Sequence, residues 1–347
     1  VVLSPLKSRS DVATGTGAAI MILAGDIGGT NTRLALVDGT SGRLRIACEK
    51  TYPSCERPSL EAALAEFLSL HRGAFTRASF GIAGPVRNGR CEATNLPWVV
   101  DAKSVAKRLR LKHVGLVNDL VANAHGIAIL GGRNLVTLNR GARAAHGNRA
   151  LIAAGTGLGV AGLLDEGGTH RPFGSEGGHA DFAPRNRLEM ELLEYLLQRH
   201  ARVSYERLIS GPGLVNICQF LRDTGRGREP RWLAEEMRLG DPAAVISRRA
   251  LDGKSPLCVR ALDLFVSFYG AQAGNLALTF LATGGVYLGG GIAPKIVAKL
   301  KEPGFMNAFT AKGRLSPLLQ DIPVRVIMNP KTALLGAARH AALGLAD

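Results

Sequence analysis

The chain has 347 residues, 46% of them hydrophobic, enough for two domains each with its own core. Its 43 glycines and 5% aromatic content favour a turn-rich α/β architecture over a helical bundle. A net charge of +15 would suit a nucleic-acid binder, but the basic residues are scattered, with no run of five and no interleaved aromatics. The charge therefore reads as a solvated surface that also attracts phosphorylated ligands. The five cysteines, Cys48, Cys55, Cys91, Cys218 and Cys258, are far apart and form no Cys-x-x-Cys. They indicate neither a zinc cluster nor a disulfide framework, and a cytoplasmic setting is expected.

Residues 1–20 carry Lys7 and Arg9 without an apolar core of signal-peptide length, and Met21 directly precedes the first strand. They are expected to be an extension outside the fold, with a weak organellar presequence as the alternative. A chain starting at Met21 should then keep full activity.

Leu23–Asp38 reads as strand, Gly-rich turn, strand. Its turn, Gly25-Asp26-Ile-Gly28-Gly29-Thr30-Asn31, can bring backbone N–H groups close to anionic oxygens, and Asp26 is placed to hold a hydrated Mg²⁺ near them. An ordinary Gly-Gly hairpin is the alternative. The turn is neither a Walker loop nor a dinucleotide fingerprint.

Ser59 can cap a helix with Leu60, Leu64, Phe67 and Leu68 inward, and another short helix begins at Asp101. His113–Val117 is a strand with Asn118-Asp119 at its carboxyl end, where α/β sheets collect ligands. Helix capping is the commoner explanation of such a pair. Leu151–Leu164 repeats the opening theme, with Gly155-Thr156-Gly157-Leu-Gly159 as its loop. Two such hairpins suggest related halves gripping one nucleotide from both sides. Glu176 and His179, three apart across two glycines, can converge on hydroxyl groups; a metal site would need further ligands.

Leu188–His200 reads as a helix with Met190, Leu193, Leu196 and Leu197 inward, and Thr224–Arg231 as a mobile loop. From Leu264 to Pro294 no charge occurs, but Gly, Asn, Gln and Thr interrupt the run, which reads as buried helix, turn and strand rather than a membrane span. The triple glycine Gly289-Gly290-Gly291 leaves room for a flat heterocycle, or makes a tight strand-to-helix turn. The final Ala333–Leu345 is an Ala-rich helix.

Together, and in this order, these motifs resemble the bacterial ATP-dependent glucokinases of the hexokinase and actin-like superfamily over about Ile22 to Leu345. The resemblance implies an α/β fold of two ribonuclease-H-like (actin-like ATPase) domains with a cleft between them. The smaller domain would hold 21–129 plus 329–347, the larger 130–328. It implies two phosphate segments at Asp26–Arg33 and Gly155–Gly159, an adenosine segment at Gly284–Pro294, and sugar contacts at Asn118, Asp119, Glu176, His179 and Glu206. It further implies transfer of the γ-phosphoryl of ATP to glucose with Mg²⁺, Asp119 acting as general base, in a homodimer with no membrane or nucleic-acid partner. A broader hexose kinase and a weakly active sugar sensor are the alternatives. Ser175 stands where that family often has Gly. The Cys-rich zinc motif of the related repressor/kinase branch is absent, and no helix-turn-helix precedes the first loop.

Overall fold

The computed structural model describes residues 20–71, 73–94 and 96–344. The expected extension therefore falls almost wholly outside the described residues; its last residue, Ile20, already belongs to the first strand.

Two sheets carry the fold. The first is built from β1 (Ile20–Ile27), β2 (Asn31–Thr40), β3 (Arg43–Pro53), β4 (Arg77–Ile82) and β8 (Gly115–Asn118) in the order β3-β2-β1-β4-β8. A small sheet of β5 (Val86–Arg87), β6 (Arg90–Glu92) and β7 (Val99–Asp101) lies between β4 and β8 in sequence. The second large sheet uses β9 (Leu135–Asn139), β10 (Arg149–Ala154), β11 (Leu158–Glu166), β12 (Thr169–Ser175), β13 (Gly285–Gly289) and β14 (Val324–Ile327) in the order β12-β11-β10-β13-β14-β9. In each large sheet an antiparallel three-stranded meander continues into two further strands parallel to its first. The second sheet adds β9, antiparallel to β14. This is the ribonuclease-H-like pattern twice over.

The central strand β1 is covered on both faces, which is why it reads as a continuous apolar run. Leu23 and Ile27 join the core under the helix Leu60–Leu70, whereas Ile22 and Ala24 face the C-terminal helix Thr332–Leu343. The Ser59 cap is present, its hydroxyl accepting the Ala62 N–H at 3.3 Å. The helix Pro256–Thr279 packs closely on Pro303–Thr310: a Cβ at Gly270 or Gly274 would lie 2.2 or 2.5 Å from the Phe305 or Phe309 carbonyl oxygen. It begins earlier than expected, because Ser255 caps it and Pro256 fills its first turn.

One sequence expectation needs correction. In the helix Arg187–Leu197, Met190 and Leu197 are exposed, while Leu192, Leu196 and Glu189 are buried. Glu189 is drawn inward because its carboxylate takes bonds from Arg185 and Asn186, which turns the helix away from the expected apolar stripe. Beyond the Gly/Arg-rich segment the chain forms a further helix, Arg231–Leu239. No helix among the described residues is long and apolar enough to cross a membrane.

One helix, Asp119–Ile127, lies between the two sheets. Ala122 belongs to the core shared with β1 and the C-terminal helix, and Ala124 and Ile127 to a core with Leu151, Ala161 and Tyr287 of the second sheet. Its His125 is buried against His340, ring centroids 5.1 Å apart, and its Nδ1 has no hydrogen-bond partner. Burial, with the His340 and Arg339 charges, pushes the His125 pKa down to about 3. The unfolded chain would protonate it near pH 6.5, so its contribution is full above that pH and is lost as pH falls toward 3. Between pH 6.5 and pH 5 the native protein should lose about 2 kcal/mol more than a His125→Gln variant. Urea titrations at the two pH values measure this, and equal losses would show that His125 is not the group responsible.

Candidate active site

The carboxyl ends of β1, β4 and β8 lie side by side. Asp26 pairs in register with Gly81, and Ile82 with Asn118, so Asp26 and Asp119 flank the end of β4. A Cβ at Gly81 would lie 2.7 Å from that of Ala122; a glycine there lets the helix Asp119–Ile127 start against the strand. Asn118 caps this helix. Its Oδ1 accepts the Leu120 N–H at 2.9 Å and its Nδ2 donates to the Gly84 carbonyl at 3.1 Å. The capping reading of the pair is thus correct for Asn118.

Asp119 behaves differently. Burial, reinforced by the charges of Asp26 and Glu176 and opposed by the N–H groups of Leu120 and Asp119 itself, raises its pKa to about 7. Burial also raises the Asp26 pKa, against the pull of Arg33, its partner across the hairpin.

The first loop is tied down by a residue that no sequence signal singled out. Ser54 donates its hydroxyl to the Gly28 carbonyl at 2.7 Å and its N–H to the Thr30 carbonyl at 2.9 Å. Thr30 and Asn31 are exposed. Gly28 does not adopt a left-handed φ, and its N–H closes the turn on the Asn31 carbonyl at 2.9 Å. Gly25 has a packing reason, since a Cβ there would lie 2.4 Å from the Phe80 ring.

The second loop joins β10 to β11. Gly155 borders open space and Thr156 is exposed, whereas a Cβ at Gly159 would strike Leu120 at 2.4 Å. The triple glycine lies beside it: Gly290 has φ +81°, and a Cβ there would lie 2.2 Å from the Ala154 carbonyl oxygen. Gly290 therefore makes a tight turn with close backbone approach, and of the three it is Gly291 that faces open space.

Glu176 and His179 follow β12. The loop is shaped by Ser175, whose hydroxyl accepts the Gly177 N–H at 3.0 Å, and it lies so close to β11 that a Cβ at Gly178 would be 1.8 Å from the Leu158 carbonyl oxygen. The N–H groups of Phe182 and Tyr205 bond to Val203 and Ala180, and Arg202 donates to the His179 carbonyl and to Asp181, both at 2.7 Å. This pairing brings Glu206 alongside, its Oε1 4.0 Å from His179 Nδ1. The other oxygen, Oε2, accepts the Leu158 N–H at 2.8 Å, at the end of the second loop.

The charges of Asp26 and Glu176 thus act on Asp119, while Glu206 links His179 to the end of the second glycine loop. Among the described residues no group of three or more His, Cys, Asp or Glu could hold a metal ion. A family model described as glucokinase matches residues 23–343. The chain belongs to the glucokinase family. It is accordingly an ATP-dependent hexose kinase. The glucokinase of Trichormus variabilis is 43% identical over 338 residues, covering 93% of this chain and 99% of its own. Among solved structures, a glucokinase from an Antarctic psychrotroph superposes with TM-score 0.80 at 30% identity, over 92% of this chain and 98% of that one. A ROK family glucokinase from Streptomyces griseus, in complex with glucose and AMPPNP, shares the fold at TM-score 0.64 and 24% identity, over 93% of this chain and all of that one. Within the glucokinase family, this chain repeats one topology in its two large sheets.

Proposed function

We propose that the protein transfers the γ-phosphoryl of ATP to the 6-hydroxyl of glucose, with Asp119 as general base. The observation that carries this reading is Asp119 itself, a carboxyl raised to a pKa of about 7 at the carboxyl end of β8, where burial and the Asp26 and Glu176 charges act on it. A base of that pKa is matched to neutral pH, where it can accept the hydroxyl proton as the phosphoryl group arrives. Asn118, Glu176, His179 and Glu206 would bind ring hydroxyls and set the line of attack. Backbone N–H groups of the loops Asp26–Asn31 and Gly155–Gly159 would spread the charge of the transferring group, and the segment around Gly289–Gly291 would hold the adenosine.

The residues present fit a Mg²⁺ bound largely through its waters and the nucleotide. Asp26 is a carboxylate whose ionised form is disfavoured by burial and which faces the Asp119 charge, so a cation there would relieve both effects. When bound, the ion would neutralise phosphate charge. The reading includes a small domain of 21–129 plus 329–347, a large domain of 130–328, and closure that excludes water. It includes a cytoplasmic homodimer, and the five free cysteines suit a reducing compartment.

An ATP-consumption screen across glucose, mannose, fructose and N-acetylglucosamine tests the substrate. Glucose should give the highest kcat/KM, and faster turnover of N-acetylglucosamine would overturn the assignment. In Gly28→Val the added side chain would crowd the Asn31 carbonyl, only 3.3 Å from a Cβ at this position, and block backbone approach to phosphate. The dissociation constant of AMPPNP should rise about tenfold or more while that of glucose stays nearly constant. Equal losses for both ligands would make the loop structural for the whole domain.

A further inference from the structure

Glu206 stands in two places at once. Its Oε2 accepts the Leu158 N–H at 2.8 Å and presses on Gly157, where a Cβ would lie 2.6 Å away. Its Oε1 points into the candidate sugar site, 4.0 Å from His179 Nδ1. That separation is too long for a hydrogen bond but suits a bridging hydroxyl. An oxygen about 2.8 Å from both atoms subtends roughly 90°, close enough to tetrahedral for both bonds to form.

The backbone around Glu206 is held firmly. Ser210 Oγ donates to the Glu206 carbonyl at 2.7 Å, and the Gly211 N–H donates to the Gly155 carbonyl at 2.9 Å. The segment Glu206–Gly211 thus grips the second loop at both ends, at Gly155 through backbone and at Leu158 through the carboxylate. Only the carboxylate grip depends on a side-chain rotation, and only the carboxylate is also reachable by a sugar.

We infer that Glu206 couples the two ligands: a hydroxyl bridging Oε1 and His179 fixes the carboxylate plane, which locks Oε2 on Leu158 and orders the loop for phosphate. The inference rests on the proposed glucose and ATP chemistry, and makes Glu206 a positioning residue for the nucleotide as well as a sugar contact. Coupling of this kind is reciprocal, so each ligand tightens the other by the same factor.

The test compares AMPPNP affinity by calorimetry with and without saturating glucose, after turnover of glucose and ATP by the unaltered protein has been measured. In the unaltered protein glucose should tighten AMPPNP by about fivefold or more. Glu206→Gln can still accept from Leu158 through its amide oxygen but turns an NH₂ toward His179. Its AMPPNP affinity without sugar should be preserved, its glucose affinity should fall, and coupling should drop below about twofold. Gly157→Ala crowds Oε2 off the loop and, because the carboxylate is one rigid plane, shifts Oε1 with it. It should lose the coupling and bind glucose more weakly than the unaltered protein. A merely structural role would weaken each ligand separately and leave the ratio intact, which overturns the inference. Turnover without coupling in the unaltered protein overturns it while leaving the proposed reaction standing, and absence of turnover overturns both.

Discussion

Asp119→Asn should lower kcat by about 10²–10⁴-fold, the usual cost of losing a general base, while the glucose dissociation constant moves little. The substitution spares the helix start, because the Leu120 N–H is capped by Asn118 at 2.9 Å. Glu176, His179 and Glu206 remain to hold the sugar. In the unaltered protein kcat/KM should rise with pH up to about 7 and level off above it, since the carboxyl must lose its proton to act. The same raised pKa has a consequence for stability. A carboxyl titrating near 3.8 unfolded and near 7 folded binds more protons when folded, so the native state loses stability as pH rises between those values. Asp119→Asn should therefore be more stable than the native protein at pH 8, with the gain shrinking as pH falls toward 4. Near-normal turnover in the variant would remove Asp119 from the chemistry.

Gly336→Ala should cost about 3 kcal/mol or more of folding stability, at the upper end of overpacking. A Cβ at position 336 would lie 1.7 Å from the Ala122 carbonyl oxygen and 2.6 Å from the Gly126 nitrogen. The facing position has the same constraint, because a Cβ at Gly126 would lie 2.2 Å from the Thr332 carbonyl oxygen. The two helices touch backbone to backbone, so a methyl group can be accommodated only by moving one of them. Since Ala122 lies one turn from Asp119, the shift should reach the cleft and lower activity in the fraction that folds. A midpoint of urea unfolding within error of the native value would show that the helices separate easily.

Much of this was legible in the chain. Each glycine hairpin announces itself by a short apolar run, a glycine turn and a second run, and the Asn118-Asp119 pair by its place after an apolar strand. The glycines were harder to interpret. Gly25 and Gly159 sit in candidate nucleotide loops, yet Phe80 and Leu120 account for them; a glycine that admits a ligand and one that admits a neighbouring side chain look alike in sequence. Ser54 was invisible because its partners, Gly28 and Thr30, are more than twenty residues away. The inward turn of Glu189 was missed because periodicity counts apolar residues and cannot see that Arg185 and Asn186 make burial of a carboxylate tolerable.

The helix Asp119–Ile127 shares one side with the first sheet's core and the other with the second sheet's core. An element clamped in this way cannot unfold locally without opening both cores, so its amide protons should be among the last to exchange with deuterium. If the two halves rock against each other during turnover, this helix is the axle. A wheel's rim travels and its axle does not: the loops at Gly28 and Gly155 would sweep toward the nucleotide while Asp119, at the end of the axle, would keep its place.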